Sequence, residues 1–424
     1  MAAATYSRGL GMDTAIAAPY EGAMGLGLFL YGDTAKPRDA LLEQAAAWVH
    51  ETHRGLLRSS HVGEGEDGHR TLWLALHPAE EPLELKAIGR DKVLALARTS
   101  GAGPGYHAFV CELLDAMSQQ LSIRWQGPDP TGETGDETGF FHQRDRSKLE
   151  AEMRGWVRAV ARSLTQGDIE GWQGIAISLP VSAPQYDIEG AATALGPRSG
   201  AFFRQLADDD AQAQRFFSWW EPGFGAEYLL GRALCRMWAD VRWRKPVNDA
   251  ERAVHDEVLD LLARAFAVDP SRDYPFAEWG ELLALRGETL PAPAAARVSG
   301  TPTIGYRRGS LIMKPFPGAS IRIPGCFSEK VDPRGSWIAW DDGRTIWLSL
   351  LAGKARAAAG ATPLDESEPM RDQVTENGRQ VHRVQGKRVS TTADEVRVLL
   401  VSILFTDEAQ ADWAFDTWRS VSFR

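Results

Sequence analysis

Between Gly25 and Gln126 the apolar positions change period several times. Leu26–Tyr31 reads as a strand, after which Leu41, Ala45, Trp48, Val49, Thr52 and Leu56 recur at the spacing of one helical face. Thr71–Leu76 and Val93–Ala97 are apolar runs of strand length. From Tyr106 onward, Val110, Leu113, Leu114, Met117 and Leu121 form a second helical stripe, and Ser122–Trp125 returns to strand. The pattern predicts an α+β N-terminal domain over residues 1–127.

Gly127–Gly139 holds four glycines, two prolines and the acids Asp129, Glu133, Asp136 and Glu137, and it reads as a solvated linker. It has no calcium-loop register. Beyond it Leu149, Met153, Trp156, Val157, Val160 and Leu164 mark a helix, and Ile175–Leu179 a short strand ended by Pro180. From Gly200 to Leu285 apolar faces recur at helical spacing, which makes 140–288 a mainly helical middle region. No repeat of solenoid period is present. The Pro/Ala-rich run Leu290–Pro302 then separates a C-terminal domain, 303–424.

In that last part Asp342-Gly343 lies between the β-rich runs Trp337–Trp340 and Thr345–Leu350, the signature of a hairpin with a type I′ turn. Val396–Phe405 is a long β-branched strand, and Asp407–Val421 a helix with Ala411, Ala414, Phe415 and Trp418 on one face. An antiparallel sheet backed by the terminal helix follows. The whole chain is therefore read as multidomain α+β. Ser320–Pro324, the Trp337–Leu350 hairpin and Val396–Phe405 running into Asp407–Val421 resemble the PsbP-like α/β sandwich. The resemblance covers under a third of the chain, carries no diagnostic motif, and implies a non-catalytic binding module of chaperone or adaptor type.

Composition narrows the function classes. A formal net charge of −10 and the lack of a basic stripe argue against nucleic acid as a partner. The three cysteines, Cys111, Cys235 and Cys326, are far apart and odd in number, which suits a reducing compartment. No leader pattern or membrane-length apolar run is present, so a cytoplasmic protein with no membrane partner is expected. Arginine outnumbers lysine 38 to 9, a bias consistent with a GC-rich bacterial genome.

The strongest chemical candidate is Ser100-Gly-Ala-Gly-Pro-Gly-Tyr-His107, between a strand and a helix. Gly101, Gly103 and Gly105 there could present backbone N–H groups to an anion. The run is not a Walker A loop and lacks the third glycine of a dinucleotide fingerprint. His107 and Cys111, one helical turn apart, are the candidate nucleophile–base pair, weighed against a core cysteine beside a boundary histidine. Five of nine histidines cluster as His50, His53, His61, His69 and His77, but His50-Glu-Thr-His53 is one residue short of HExxH, so no metal is assigned. Trp219, Trp220, Trp238 and Trp243 lie in Trp/Arg-rich segments of hot-spot composition.

Two functional expectations follow. The first is a non-enzymatic bacterial module that needs no cofactor and binds another protein, of immunity, chaperone, adaptor or defence-accessory type, through the aromatic middle region and the C-terminal sheet. The alternative is an enzyme or small-molecule sensor with an anionic ligand at the glycine-rich turn.

Overall fold

The first strand, β1 (Gly27–Thr34), buries Leu28 and Leu30 and leaves Phe29 and Tyr31 half-exposed, the alternation of a sheet covered on one face. Helix α1 (Arg38–Thr52) lies on the covered side. β2 (Ser59–Glu64), β3 (Arg70–Ala75), β4 (Leu83–Ile88) and β5 (Lys92–Arg98) follow as an antiparallel meander whose last strand pairs with β1. Then come α2 (Pro104–Leu121), β6 (Ile123–Trp125) and β7 (Gly135–Asp136), both strands pairing with β1. The polar stretch Ser59–Arg70, which no apolar periodicity marks, contains the edge strand β2. An edge strand has one neighbour and stands largely in water, so it needs no apolar alternation.

The structure is a computed structural model that describes residues 25–65, 67–127, 135–166, 175–180, 183–354, 368–376, 378–392 and 395–423. Asp129 and Glu133 of the acidic loop lie outside them.

The middle of the chain holds α3 (Phe140–Gln143), α4 (Arg146–Thr165), the short strands β8 (Ile175–Ala176), β9 (Gln185–Tyr186), β10 (Ala191–Thr193) and β11 (Gly196–Arg198), then α5 (Gly200–Asp208), α6 (Ala226–Ala239), α7 (Asp249–Val268), α8 (Phe276–Leu285) and α9 (Ala292–Ala295). Side-chain caps start three of the helices: Asp145 accepts from Lys148 N–H, Ser199 from Phe202 N–H and Asn248 from Glu251 N–H. The expected strand Ile175–Leu179 stops at Ala176, because Ser178 takes φ of 56° and cannot extend the ladder.

β12 (Ser310–Phe316), β13 (Ala319–Pro324), β14 (Ser328–Val331), β15 (Trp337–Trp340), β16 (Arg344–Lys354), β17 (Met370–Glu376), β18 (Arg379–Thr391), β19 (Glu395–Phe405), α10 (Ala411–Arg419) and β20 (Ser422–Phe423) complete the chain. They form a six-stranded antiparallel sheet, β14-β15-β16-β19-β18-β17, and a smaller one, β20-β13-β12-β9. α10 packs on β18, β19 and β13. The hairpin at Asp342-Gly343 is present, but neither residue has positive φ, so its turn is not type I′. The Asp341 carboxylate instead accepts the N–H groups of Gly343 and Arg344, and the Gly343 carbonyl accepts from Thr406 N–H, which docks the turn on the end of β19.

The protein is α+β, with several sheets and helices in distinct regions. One core draws on residues from Leu28 to Ala294 and includes the covered face of the first sheet, α2, α4 and the middle helices. A second runs from Tyr186 to Val421. Tyr186, from before the Pro/Ala-rich run, pairs with Leu311 and stacks on Tyr306 at 4.1 Å. That run is itself docked: Ala294 is buried, Arg297 lies over the Phe276 ring at 4.6 Å, and Thr303 and Ile304 N–H donate to Glu278.

Candidate functional site

The glycine-rich turn is closed against the protein. Gly103, at φ of 111°, precedes Pro104, the first residue of α2, and a side chain at Gly101, Gly103 or Gly105 would collide with Ala79, Phe217 or Trp219 respectively. Its N–H groups are already used. Gly103 donates to Thr99 O, Gly105 to Trp219 O, and Ala102 to the Glu80 carboxyl at 2.7 Å. The carboxyl group at this helix start therefore belongs to the chain, and the N–H groups of Ala102, Gly103 and Gly105 are not free for a bound anion.

His107 and Cys111 are brought together, but neither is at a boundary, since both are fully buried. The reason is Asp136, which the sequence reading left in a solvated linker. β7 pairs with β1 and carries Asp136 inward, so that its Oδ1 lies 3.2 Å from His107 Nε2 with both side chains fully buried. Asp136 also accepts from the N–H and hydroxyl of Thr138 at 2.8 Å each and from Phe141 N–H at 2.6 Å. On the other side of the imidazole, Thr99 Oγ1 lies 2.8 Å from Nδ1. Burial pushes Asp136 upward, but the hydrogen bond and charge of His107, with Phe141 N–H and Thr138, outweigh it and hold the carboxyl down to about 2. Burial, reinforced by the Asp136 charge, keeps the Cys111 thiol well above its usual range. A protonated thiol with no route to solvent is not an activated nucleophile.

A cavity of about 460 Å³ opens beside the turn, lined by Glu80, Arg98, Ser100, Trp156, Val160 and Leu164 among others. Glu80 is 8% exposed, and burial raises its carboxyl to about 8 against the opposing N–H donors of Ala102 and Gly101. Between its ordinary value of 4.5 and about 8 the folded state keeps a proton that the unfolded chain has lost. Stability attributable to Glu80 is therefore full at acidic pH and falls as pH rises through that window. Glu80→Gln keeps the acceptor for Ala102 and removes the ionisation. Denaturation midpoints taken from pH 5 to about 9 are expected to show a flatter profile in the variant, which becomes the more stable protein above about pH 8. Parallel profiles would refute the burial argument.

The tryptophans expected at a partner surface are internal. Trp219 is 2% exposed and packs against Tyr106, Phe109 and Tyr228, and Trp220 is buried with Arg154 over its ring. Trp238 packs on Tyr306 and Trp243 lies under Arg308, both half-buried. The neighbouring Arg242 and Arg244 bind the carbonyls of Phe327 and Cys326 and the carboxylates of Glu329 and Glu251. Hot-spot composition is present because this is an interface, but one between the two cores of a single chain. The five clustered histidines do not converge: His50 and His53 end α1, His61 stacks on Trp73, His69 lies in a turn, and His77 is buried beside Tyr106.

Apolar surface appears elsewhere. In the six-stranded sheet, Ile346, Leu348, Val401 and Ile403 face the core, and their alternating neighbours point the other way. This outer face carries Ile338, Trp340, Trp347, Leu351, Val398 and Leu400, none of which joins either core. Leu351 is 56% exposed, Leu400 44%, and Met370 at the adjoining strand end 63%. Lys330 lies 5.3 Å from the Trp340 ring, and Lys387 is opposite Leu400.

Sequence reasoning missed Glu80, Asp136 and Thr138, and it named the C-terminal sheet as a partner surface without saying which face. Asp136-Glu-Thr138 ahead of Phe140-Phe141 was a usable signal, an Asx motif entering an apolar helix start. Glu80 had none, since only tertiary packing sets it over the turn. Among the described residues no helix is long and apolar enough to cross a membrane. Comparison with protein-family models, with curated proteins and with solved structures finds no match.

Proposed function

We propose that the protein is a non-enzymatic protein-binding module, acting in a bacterial cytoplasm in an immunity, chaperone or adaptor role, and that the outer face of the six-stranded sheet is its docking surface. The observation that carries this reading is the contiguous row of Trp340, Trp347, Leu351, Val398 and Leu400 outside both cores. A solvent-facing sheet surface ordinarily alternates to polar residues, and a sizeable exposed apolar patch marks an interaction site. Tryptophans at its centre are suited to anchor a partner. The resemblance of 303–424 to PsbP-like binding modules points the same way.

The test is capture of a stoichiometric partner from native lysate by the wild-type chain, by Leu400→Glu and by Val268→Glu, which alters an exposed apolar residue at the end of α7. The expected result is loss of the partner with Leu400→Glu only, by at least tenfold given a buried apolar anchor replaced by charge. Retention by Leu400→Glu would remove the sheet face from consideration. A chain with no partner at all would shift the reading to a small-molecule sensor, for which the Glu80 cavity is the supporting observation.

A further inference from the structure

We infer that His107, Cys111 and Asp136 form a buried structural site for one zinc-class divalent cation. Their ligating atoms lie within 4.8 Å of one another, and the Nε2–Oδ1 separation is 3.2 Å. Adjacent ligands of a tetrahedral zinc ion stand roughly 3.3–3.7 Å apart, so a closure of about 1.5 Å at most assembles the site. Nitrogen, sulfur and carboxylate donors in one place select zinc over magnesium or calcium, which take oxygen alone.

Three further features fit. Thr99 Oγ1, 2.8 Å from His107 Nδ1, occupies the place of the outer hydrogen-bond partner that orients a metal-binding imidazole. Phe141 N–H fixes Asp136 Oδ2 at 2.6 Å and leaves Oδ1 toward His107. Thr138 Oγ1, 3.1 Å from His107 Nε2 and 2.8 Å from Asp136 Oδ1, is a neutral oxygen placed to complete the set. As the chain folds around the ion, the thiol proton of Cys111 leaves to solvent before the site closes, and thiolate plus carboxylate balance the dication. A neutral cluster suits a site where His107 and Cys111 are fully buried. With no open position or solvent route, the ion would be structural, pinning residues 135–141 onto α2 and loading during folding.

The protein is refolded from denaturant with Zn2+, and in parallel with Co2+, desalted and assayed. The expected result is about one zinc per chain, with visible thiolate–cobalt bands in the Co2+ sample. Both signals vanish in Cys111→Ala and persist in Cys235→Ala, which alters another buried cysteine outside the cluster. Cys111→Ala is checked for its native circular dichroism. If it fails to fold, the wild-type cobalt spectrum and a chelator-induced drop in melting temperature decide the matter. Folded wild-type protein with under about one-tenth of an equivalent of zinc and no cobalt bands would overturn the inference. The cluster would then be a hydrogen-bonded clasp alone.

Discussion

Trp219→Ala is expected to destabilise the protein by about 3–5 kcal/mol, the range for deleting a large buried aromatic side chain. The ring packs against Tyr106, Phe109, Phe224 and Tyr228, and its Nε1–H donates to Gly223 O. The backbone of the same residue holds the glycine-rich turn, since Trp219 O accepts from Gly105 N–H and Trp219 N–H donates to Ala102 O. The cavity left behind therefore sits where α2, α6 and the turn meet, and little can collapse into it. Against a typical total stability of about 5–15 kcal/mol, the loss should appear as a melting transition lowered by about 3–6 °C, followed by circular dichroism. Any fall in partner binding by this variant would be secondary to unfolding. A variant that melts like wild type but loses its partner would contradict the core placement and restore Trp219 as a contact residue.

The second large effect is expected at the seam between the cores. Arg307 is 5% exposed and donates to Ala239 O at the end of α6, to Gly325 O beside the second sheet, and to the Glu329 carboxylate at 2.6 Å. Arg307→Met leaves Glu329 with only Arg242 to neutralise it in a half-dry environment, a change that costs about 3–5 kcal/mol. Because the guanidinium spans elements of both cores, the variant is expected to show two thermal transitions, resolved by calorimetry, where wild type melts as one unit. Adding Glu329→Leu should recover part of the loss, since replacing both members of a buried pair by apolar groups removes the stranded charge. If the double variant is no better than the single one, the ion pair is not what couples the cores.

Periodicity made much of the secondary structure legible. β1, β3, β5, α1, α2, α4 and β19 lie where alternating or helical spacing places them, because each buries one face and must carry the corresponding period. β2 escaped notice because an exposed edge strand has no apolar face to advertise. In β19, Val398-Leu-Leu-Val401 is apolar on both sides, yet among the described residues only one side is covered, by α10 and the second core. The apolar run is visible in the sequence, but that one side of it stays outside both cores is set by packing, and that exposed side is the basis of the proposed docking face.

The candidate site divided differently. Local order put His107 and Cys111 on one helical face and glycines ahead of α2, and those placements depend only on residues close in the chain. What surrounds them does not. Asp136 lies 29 residues after His107 and reaches it because β7 pairs with β1, and Glu80 takes the N–H groups of the turn because β4 and β5 return beneath it. Likewise the Trp/Arg segment announced an interface by composition alone, while the identity of the other side, the strand β14 of the same chain, was set by how the second core docks. Helices, strands and their apolar faces follow from short-range spacing. Which polar groups meet in the interior, and which apolar face remains outside, follow from packing between segments far apart in sequence, and no local pattern encodes that.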